Sequence, residues 1–178
     1  MKLNSSKVVQ PKTFEFSEEN QKKFKSIFAK YPKGREASAM MPLLDLAQRQ
    51  HDGWIPHAAM DHIAEILNVP PIRVYEVATF YTMYNLTPVG ENHLQVCTNL
   101  PCWLRGSDKI MSTCKKKLGI EVGETTADGK FTLRESECLG ACANAPVCMV
   151  DNNRYYEDLT PEKMLLLLQE LDQGAIDG

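Results

Sequence analysis

Residues 93–102 read HLQVCTNLPC, and this stretch decides the second half of the fold. Apolar and polar residues alternate over 93–98, which predicts a strand. Residues 102–117 predict a helix, with Met111, Cys114 and Leu118 on its inner side. Cys97 is therefore expected at the end of a strand, and Cys102 at the start of the next helix.

The rest of the second half predicts three further short strands and one further helix. The strands are expected over 131–134, 147–150 and 154–157, with a hairpin turn between the last two. The final helix is expected over 161–171, because Thr160 can cap it. The order β-α-β-β-β-α fits a small α/β sandwich of the thioredoxin type, with the first two strands parallel across the helix.

Four helical patterns fill the first half of the chain. Each has apolar residues at positions i, i+3, i+4 and i+7, which is typical of an amphipathic helix. They are Phe24, Ile27, Phe28 and Tyr31; Met40, Leu43, Leu44 and Ala47; Met60, Ile63, Ala64 and Leu67; and Val74, Val77, Ala78 and Tyr81. The sequence therefore predicts a helical bundle followed by an α/β domain.

This pattern divides the chain into three parts. Residues 1–16 are expected to form a flexible arm, residues 17–90 a helical bundle, and residues 91–178 the thioredoxin-like domain. Ser17 is placed to cap the first helix. Pro88 and Gly90 close the helical half.

Composition and charge limit the classes of function. The formal net charge is −3, without the strongly basic character of a nucleic-acid-binding protein. The longest apolar run near the C-terminus, residues 164–168, is far shorter than the roughly 20 residues that a bilayer requires. The N-terminus has no apolar signal core. A reducing compartment is therefore expected, and clustered cysteines there indicate metal or redox chemistry rather than disulfides.

Four cysteines form two pairs at short spacing, Cys97 with Cys102 and Cys138 with Cys142. A [2Fe–2S] cluster requires four thiolates, two on each iron, and two loops with two cysteines each can supply them. Zinc also takes four thiolates, although zinc knuckles usually use tighter C-x2-C pairs. Spacing alone favours the cluster and leaves zinc open.

The other candidate ligands are expected to be structural. Cys114 lies on the apolar face of its predicted helix and Cys148 lies within a predicted strand, so both are expected in the core. The histidines, which are expected to be surface or capping residues, are His51, His57, His62 and His93.

Five stretches of the chain carry a resemblance to a known family. They are residues 52–56 (DGWIP), 77–81 (VATFY), 96–102 (VCTNLPC), 123–131 (GETTADGKF) and 137–146 (ECLGACANAP). Together they resemble the small [2Fe–2S] subunits, or E subunits, of NADH:quinone oxidoreductase, which is respiratory complex I. The resemblance covers about residues 17–172.

The resemblance implies an N-terminal helical part followed by a thioredoxin-like ferredoxin domain with one [2Fe–2S] cluster. It implies that Cys97, Cys102, Cys138 and Cys142 are the ligands, since all four match the family motif. It also implies a partner flavoprotein subunit that binds FMN and NADH, further complex I subunits, and a peripheral position at the inner membrane, on the cytoplasmic side or the matrix side if the source is eukaryotic. Diaphorase modules of soluble hydrogenases and formate dehydrogenases use a similar subunit, and a zinc-stabilised interaction module is a further alternative.

The chain is expected to act as a redox subunit and to have no catalytic residue for NADH oxidation. It has neither a G-x-G-x-x-G fingerprint nor a P-loop, so it is not expected to bind NADH or FMN tightly by itself. Phe80, Tyr81 and Tyr84 are candidates for the contact with the flavoprotein, with a place in the helical core as the alternative.

Overall fold

The computed structural model describes residues 8–174. The chain divides between Pro88 and Val89 into two compact units. Each unit has its own hydrophobic core. Between residues 8 and 174, no helix is both long enough and apolar enough to span a membrane.

The first unit contains four α helices and a short 3₁₀ turn over Glu36–Ala39 among the described residues. The four apolar patterns coincide with these helices, except that Tyr31 and Tyr81 lie just beyond the helices they were expected to join. The side chain of Ser17 caps the first helix by accepting a hydrogen bond from the Asn20 backbone N–H at 3.3 Å, as predicted. The helices are α1 (Glu18–Phe28), α2 (Met40–Gln50), α3 (His57–Leu67) and α4 (Pro71–Phe80).

The core of the first unit is built from the inward faces of these helices. Leu43, Leu44 and Ile63 are completely buried within it. Burying a leucine or isoleucine side chain stabilises a fold by about 1.5–3 kcal/mol, so each of these residues contributes substantially to the packing of the helices.

Residues 8–16 differ from the flexible arm that the sequence predicted. Phe14 and Phe16 are buried in the core of the helical unit, and their rings pack edge to face with centroids 5.3 Å apart. The side chain of Gln10 accepts a hydrogen bond from the His57 backbone N–H at 3.0 Å. Two aromatic side chains bury enough apolar surface to hold an extended segment in place. Residues 1–7 of the predicted arm lie outside the described residues.

The second unit contains a four-stranded sheet in the order β2-β1-β3-β4. The predicted parallel pairing of the first two strands is present, with Leu94 opposite Leu133, and β3 runs antiparallel to both β1 and β4. Asp151 and Asn152 make the predicted turn before β4, both with a φ of 55°. The strands are β1 (Asn92–Cys97), β2 (Phe131–Ser136), β3 (Cys148–Val150) and β4 (Arg154–Tyr156).

The helix predicted over 102–117 is divided into two. Helix α5 covers Leu100–Leu104 and helix α6 covers Ser107–Leu118. Gly106 lies between them with a φ of 93°, a backbone conformation that glycine adopts without steric cost and that interrupts a right-handed helix. The break was not predicted, and it makes α5 and α6 separate helices.

One face of the sheet carries the core of the second unit. Leu94, Val96 and Leu133 are completely buried there, together with residues of α6 and of the last helix, α7 (Pro161–Asp172). The side chain of Thr160 caps α7, as predicted, by accepting a hydrogen bond from the Lys163 backbone N–H at 3.3 Å. The alternating side chains of β1 therefore fix which residues face the helices and which face the other side.

Candidate metal centre

The four cysteines of the two predicted pairs all lie in the second unit, at one end of β1 and β2. Cys97 is the last residue of β1, and Cys102 lies within α5. Cys138 follows the end of β2 by two residues, and Cys142 begins a 3₁₀ turn that ends at Asn144. Because β1 and β2 are parallel neighbours, the loops that leave their carboxyl ends start side by side.

The first pair is buried. Cys97 is 3% exposed and Cys102 is 2% exposed, and both belong to a small cluster completed by Ala145 and Val147. Leu139 and Ala141, from the loop that carries the second pair, pack against that cluster. The second cysteine loop therefore packs on the first pair, although 35 residues separate the two pairs in the chain.

Three of the four thiols interact electrostatically. Burial, a hydrogen bond with Cys97 and the electrostatic interaction with Cys97 raise the pKa of Cys102 to about 11. The backbone N–H of Val147 donates a hydrogen bond that acts in the opposite direction, and the nearby Cys142 adds to the increase. A cation that binds here must displace protons from these thiols, because only the thiolate is a metal ligand.

The second pair is at the surface. Cys138 and Cys142 are both exposed. Gly140, between them, has a φ of 78°, a backbone conformation that glycine adopts without steric cost, so the loop can turn sharply there. The arrangement consists of one buried pair and one exposed pair of thiols.

Hydrogen bonds hold the two loops in register. The Cys97 backbone N–H donates to the Val147 carbonyl at 3.0 Å, and the Thr98 backbone N–H donates to the Ser136 carbonyl at 3.0 Å. The Cys97 thiol lies 3.5 Å from the Glu137 carbonyl oxygen, to which it donates. The residue before Cys138 is thus tied directly to the sulfur of Cys97.

The donor set fits a [2Fe–2S] cluster in its chemistry. Soft thiolates are the ligands that iron–sulfur clusters take, with two on each iron. No group of three or more His, Cys, Asp or Glu side chains between residues 8 and 174 is arranged around the position of a single metal ion. Amide N–H groups, such as that of Val147, can stabilise negative charge on ligand sulfurs.

Cys114 and Cys148 are core residues, as predicted. Both are completely buried, in the cluster that joins α6 to the sheet. Burial raises the pKa of Cys114 to about 12, and burial also raises the pKa of Cys148. Both thiols are therefore protonated and inert at neutral pH.

His93 differs from the surface or capping role predicted for it. It is 2% exposed, on the same face of β1 as Gln95 and Cys97, and its Nδ1 lies 3.3 Å from the Gln95 amide nitrogen. Burial and the charge of Arg134 lower the pKa of His93 to about 4, so the ring is neutral at physiological pH. The alternation of side chains along β1 is enough to place His93 on the same face as Cys97. It is not enough to predict that His93 is buried.

Comparison with known proteins identifies the family of the chain. The family model of the thioredoxin-like [2Fe-2S] ferredoxins matches residues 24–172. The E subunit of the NADH-quinone oxidoreductase of Rickettsia bellii is 58% identical over 158 residues, which are 89% of this chain and 94% of that protein. The mitochondrial NADH dehydrogenase [ubiquinone] flavoprotein 2 of Dictyostelium discoideum is 56% identical over 158 residues, 89% of this chain and 64% of that protein.

Among solved structures, an NAD+-reducing [NiFe]-hydrogenase in the air-oxidised state has a similar fold. The TM-score is 0.63 at 20% identity, over 75% of this chain and 23% of the hydrogenase chain. That likeness concerns the fold, whereas the curated relatives confirm the resemblance found in the sequence motifs. On the match over residues 24–172, this chain belongs to the thioredoxin-like [2Fe-2S] ferredoxin family.

Proposed function

We propose that this chain is the electron-transfer subunit of an NADH:quinone oxidoreductase, with a [2Fe–2S] cluster held by Cys97, Cys102, Cys138 and Cys142. The observation that carries the proposal is the packing of the Cys138–Cys142 loop on the buried Cys97–Cys102 pair. Membership of the thioredoxin-like [2Fe-2S] ferredoxin family supports the cofactor. The name of the Rickettsia relative supports the place in a multisubunit oxidoreductase.

The cluster, when bound, supplies one-electron redox chemistry. Cys97 and Cys102 would hold it from the buried side, where they share a small apolar cluster with Ala145 and Val147. Cys138 and Cys142 would hold it from the surface side, where both are exposed. The chain thus shields one side of the site and leaves the other open to an electron donor.

The electron donor in this proposal is FMN in a partner flavoprotein subunit that also binds NADH. NADH releases two electrons as hydride, and a flavin can take both and pass them on singly. Further subunits would hold the pair at the membrane, on the cytoplasmic side, or on the matrix side in a eukaryote.

The helical unit is proposed as a docking element for that partner. Phe80 is 77% exposed and Tyr81 is 39% exposed, and their rings pack edge to face with centroids 5.0 Å apart. Tyr84 is a poor candidate, because it is 4% exposed and its hydroxyl donates to the Met41 carbonyl at 2.9 Å. An exposed aromatic pair is the kind of surface that protein interfaces use.

A diaphorase subunit of a soluble NAD-linked hydrogenase or formate dehydrogenase is the second candidate. The fold shared with the NAD+-reducing hydrogenase favours it. The respiratory enzyme is favoured by relatives that are named as E subunits of NADH-quinone oxidoreductase. More than half of their aligned residues are identical to those of this chain. Identification of the subunits that co-purify with the chain distinguishes the two, because only the respiratory complex brings quinone-reducing membrane subunits with it.

Anaerobic purification tests the proposal. We expect a brown protein with about two irons and two sulfides per chain, and an EPR signal that appears on reduction. In complex with the flavoprotein subunit, NADH should produce the same signal. A colourless protein with one zinc per chain would establish the zinc-stabilised module instead.

A further inference from the structure

The two proposed ligand pairs differ in how easily a molecule in solution can reach them. Cys97 and Cys102 are 3% and 2% exposed. The Cys97 thiol also donates a hydrogen bond to the Glu137 carbonyl at 3.5 Å. Cys138 and Cys142 are both exposed. A thiol must be reached before it can bind iron, so of the two pairs only the second is available without movement of the chain.

The loop over residues 138–142 contributes to the burial of the first pair, and we call it the 138–142 loop. Leu139 and Ala141 from this loop are half-buried, and both pack against the apolar group that contains Cys97 and Cys102. The loop therefore lies against the buried pair, and access to the two buried sulfurs from its side requires that the loop moves.

Side-chain packing, rather than a ladder of backbone hydrogen bonds, holds the middle of the loop. Between residues 8 and 174, no atom accepts a hydrogen bond from the backbone N–H of Leu139, Gly140 or Ala141. The strand before the loop is fixed, because the Ser136 carbonyl accepts a hydrogen bond from the Thr98 backbone N–H at 3.0 Å. Segments with few backbone hydrogen bonds and little buried apolar surface open at a low cost in free energy. The loop can therefore lift while β2 stays paired.

We propose that Cys138 and Cys142 take the cluster first, from a carrier whose own thiolates hold it, and that the 138–142 loop then brings it onto Cys97 and Cys102. The inference rests on the proposed function and concerns how the site is filled. A [2Fe–2S] cluster takes two thiolates on each iron. Two exposed thiols on one short loop are therefore enough to hold one iron while the carrier still holds the other.

The transfer is an exchange of ligands without a change of oxidation state. At each exchange, a bond forms between iron and a cysteine Sγ of this chain, and the bond between the same iron and a carrier thiolate breaks. The proton of the cysteine thiol passes to the released carrier thiolate, because only the thiolate binds the metal. Both irons and both sulfides are retained, so the transfer requires neither an oxidant nor a reductant.

The opposite order of binding predicts different kinetics. If Cys97 and Cys102 bound first, the loop would have to lift before the carrier could react. The rate of uptake would then reach a ceiling, set by loop opening, as the carrier concentration rises. In the proposed order the first step needs no opening, so its rate should rise in proportion to the carrier concentration.

The test follows cluster uptake by the reduced, cluster-free, full-length chain in anaerobic stopped-flow absorbance. The carrier is a [2Fe–2S] complex with glutathione thiolates as its ligands. Leu139→Ala removes the packing of the loop and leaves every thiol in place. Leu166→Ala, at a leucine of α7 that is 59% exposed, is the matched control. Cys138→Ser and Cys102→Ser each remove one thiol from one pair, and far-UV circular dichroism verifies that all variants are folded.

We expect a fast phase proportional to the carrier concentration, followed by a slower phase that does not depend on it. Leu139→Ala and Leu166→Ala should each change the fast rate less than about twofold, whereas Leu139→Ala alone should return the cluster to excess glutathione about fivefold faster or more, because its loop lifts more readily. Cys138→Ser should slow the fast phase about tenfold or more, because a hard alkoxide is a poor substitute for the thiolate. Cys102→Ser should keep the fast phase and lose the slow one.

A fast phase that reaches a ceiling, and that Leu139→Ala accelerates, would overturn the inference and leave the proposed function intact. So would a fast phase that Cys102→Ser slows and Cys138→Ser does not. Leu139→Ala keeps the test decisive even if a cysteine variant folds poorly, because it retains all the thiols. A wild-type chain that takes up no cluster from the glutathione complex, and that shows no EPR signal as purified and reduced, would overturn the proposed function as well. Absence of uptake by a chain that does contain the cluster as purified would overturn the inference alone.

Discussion

The hydroxyl of Thr98, the residue that follows Cys97, donates a hydrogen bond to a carboxylate oxygen of Glu135 at 2.6 Å. Glu135 lies on β2 opposite Val96, so this bond joins the loop after β1 to the strand that leads to Cys138. The bond is exposed and links residues that are 37 positions apart in the chain. It therefore ties the first cysteine loop to the strand that leads into the second, and we call it the Thr98–Glu135 bond.

Replacement of Thr98 by valine should loosen the two loops. The change keeps the shape of the side chain and removes the donor, so we expect a loss of about 0.5–1.5 kcal/mol in the free energy of unfolding. The proposed cluster should also be lost faster on exposure to chelator, followed by its visible absorption. Thr98→Ser, which keeps the hydroxyl, should retain most of the cluster lifetime of the wild type. An equal cluster lifetime for Thr98→Val and the wild type would exclude a role for the Thr98–Glu135 bond.

Substitution of a proposed ligand and substitution of a core cysteine should affect the cluster differently. Serine at Cys97, Cys102, Cys138 or Cys142 should abolish or strongly shift the EPR signal, because a hard alkoxide replaces a soft thiolate. Alanine at Cys148 should leave the signal in place and lower stability instead, because it opens a small cavity in the core of the second unit. Loss of the cluster in a folded Cys148→Ala chain would show that the ligand set is wrong.

His93 should make the second unit sensitive to acid. Its pKa is lowered to about 4 in the folded chain from an ordinary value of 6.5, so the unfolded chain takes up a proton first as the pH falls. Stability should therefore decline as the pH falls from about 6.5 toward 4, by up to about 3 kcal/mol from this residue. The pH dependence of urea unfolding measures it.

Glutamine at position 93 provides the control for that measurement. It does not titrate and retains a polar side chain beside Gln95, so His93→Gln should flatten the decline between about pH 6.5 and 4. The same slope in both proteins would mean that other groups cause the acid sensitivity.

Gly90 should tolerate no larger residue. A β-carbon there would lie 2.8 Å from the Phe131 carbonyl carbon and 2.9 Å from the Gly129 carbonyl oxygen, which are backbone atoms that cannot rotate away. Its N–H also donates to the Thr132 hydroxyl at 2.6 Å. We expect Gly90→Ala to destabilise the second unit by about 1–3 kcal/mol, the usual range for forced overpacking.

A matched change at Gly123 separates crowding from backbone strain. Gly123 has a φ of 91° but open space around its α-carbon. Alanine there should cost only the left-handed backbone conformation, about 1 kcal/mol. Thermal or urea unfolding of both variants gives the comparison, and a smaller loss at Gly90 than at Gly123 would contradict the crowding.

Much of the second unit could be predicted from local patterns. The alternation in β1 and the turn at Asp151 and Asn152 are both properties of a few consecutive residues, and both are present. The break at Gly106, where φ is 93°, was not predicted, because the apolar residues that indicated the helix (Met111, Cys114 and Leu118) all lie after it.

The spacing of the cysteines indicated a metal or redox site but not its exposure. Whether a thiol is buried depends on contacts that are distant in sequence, such as Val147 against Cys102. The same limit applies to Phe14, Phe16 and Tyr84, which are buried against helices that are distant in sequence; the Tyr84 hydroxyl, for example, donates to the Met41 carbonyl.

The central place of β1 in the sheet has a consequence for the biosynthesis of the protein. Val96 pairs with Glu135 on one side and with Cys148 on the other, so the strand that presents Cys97 acquires its neighbours only after the chain has grown past β3. Contacts of such long sequence separation form slowly, and domains fold as units during synthesis. On the ribosome, the nascent chain therefore carries the first two proposed ligands long before β2 and β3 are present beside them, so we expect delivery of the proposed cluster to follow translation of this domain.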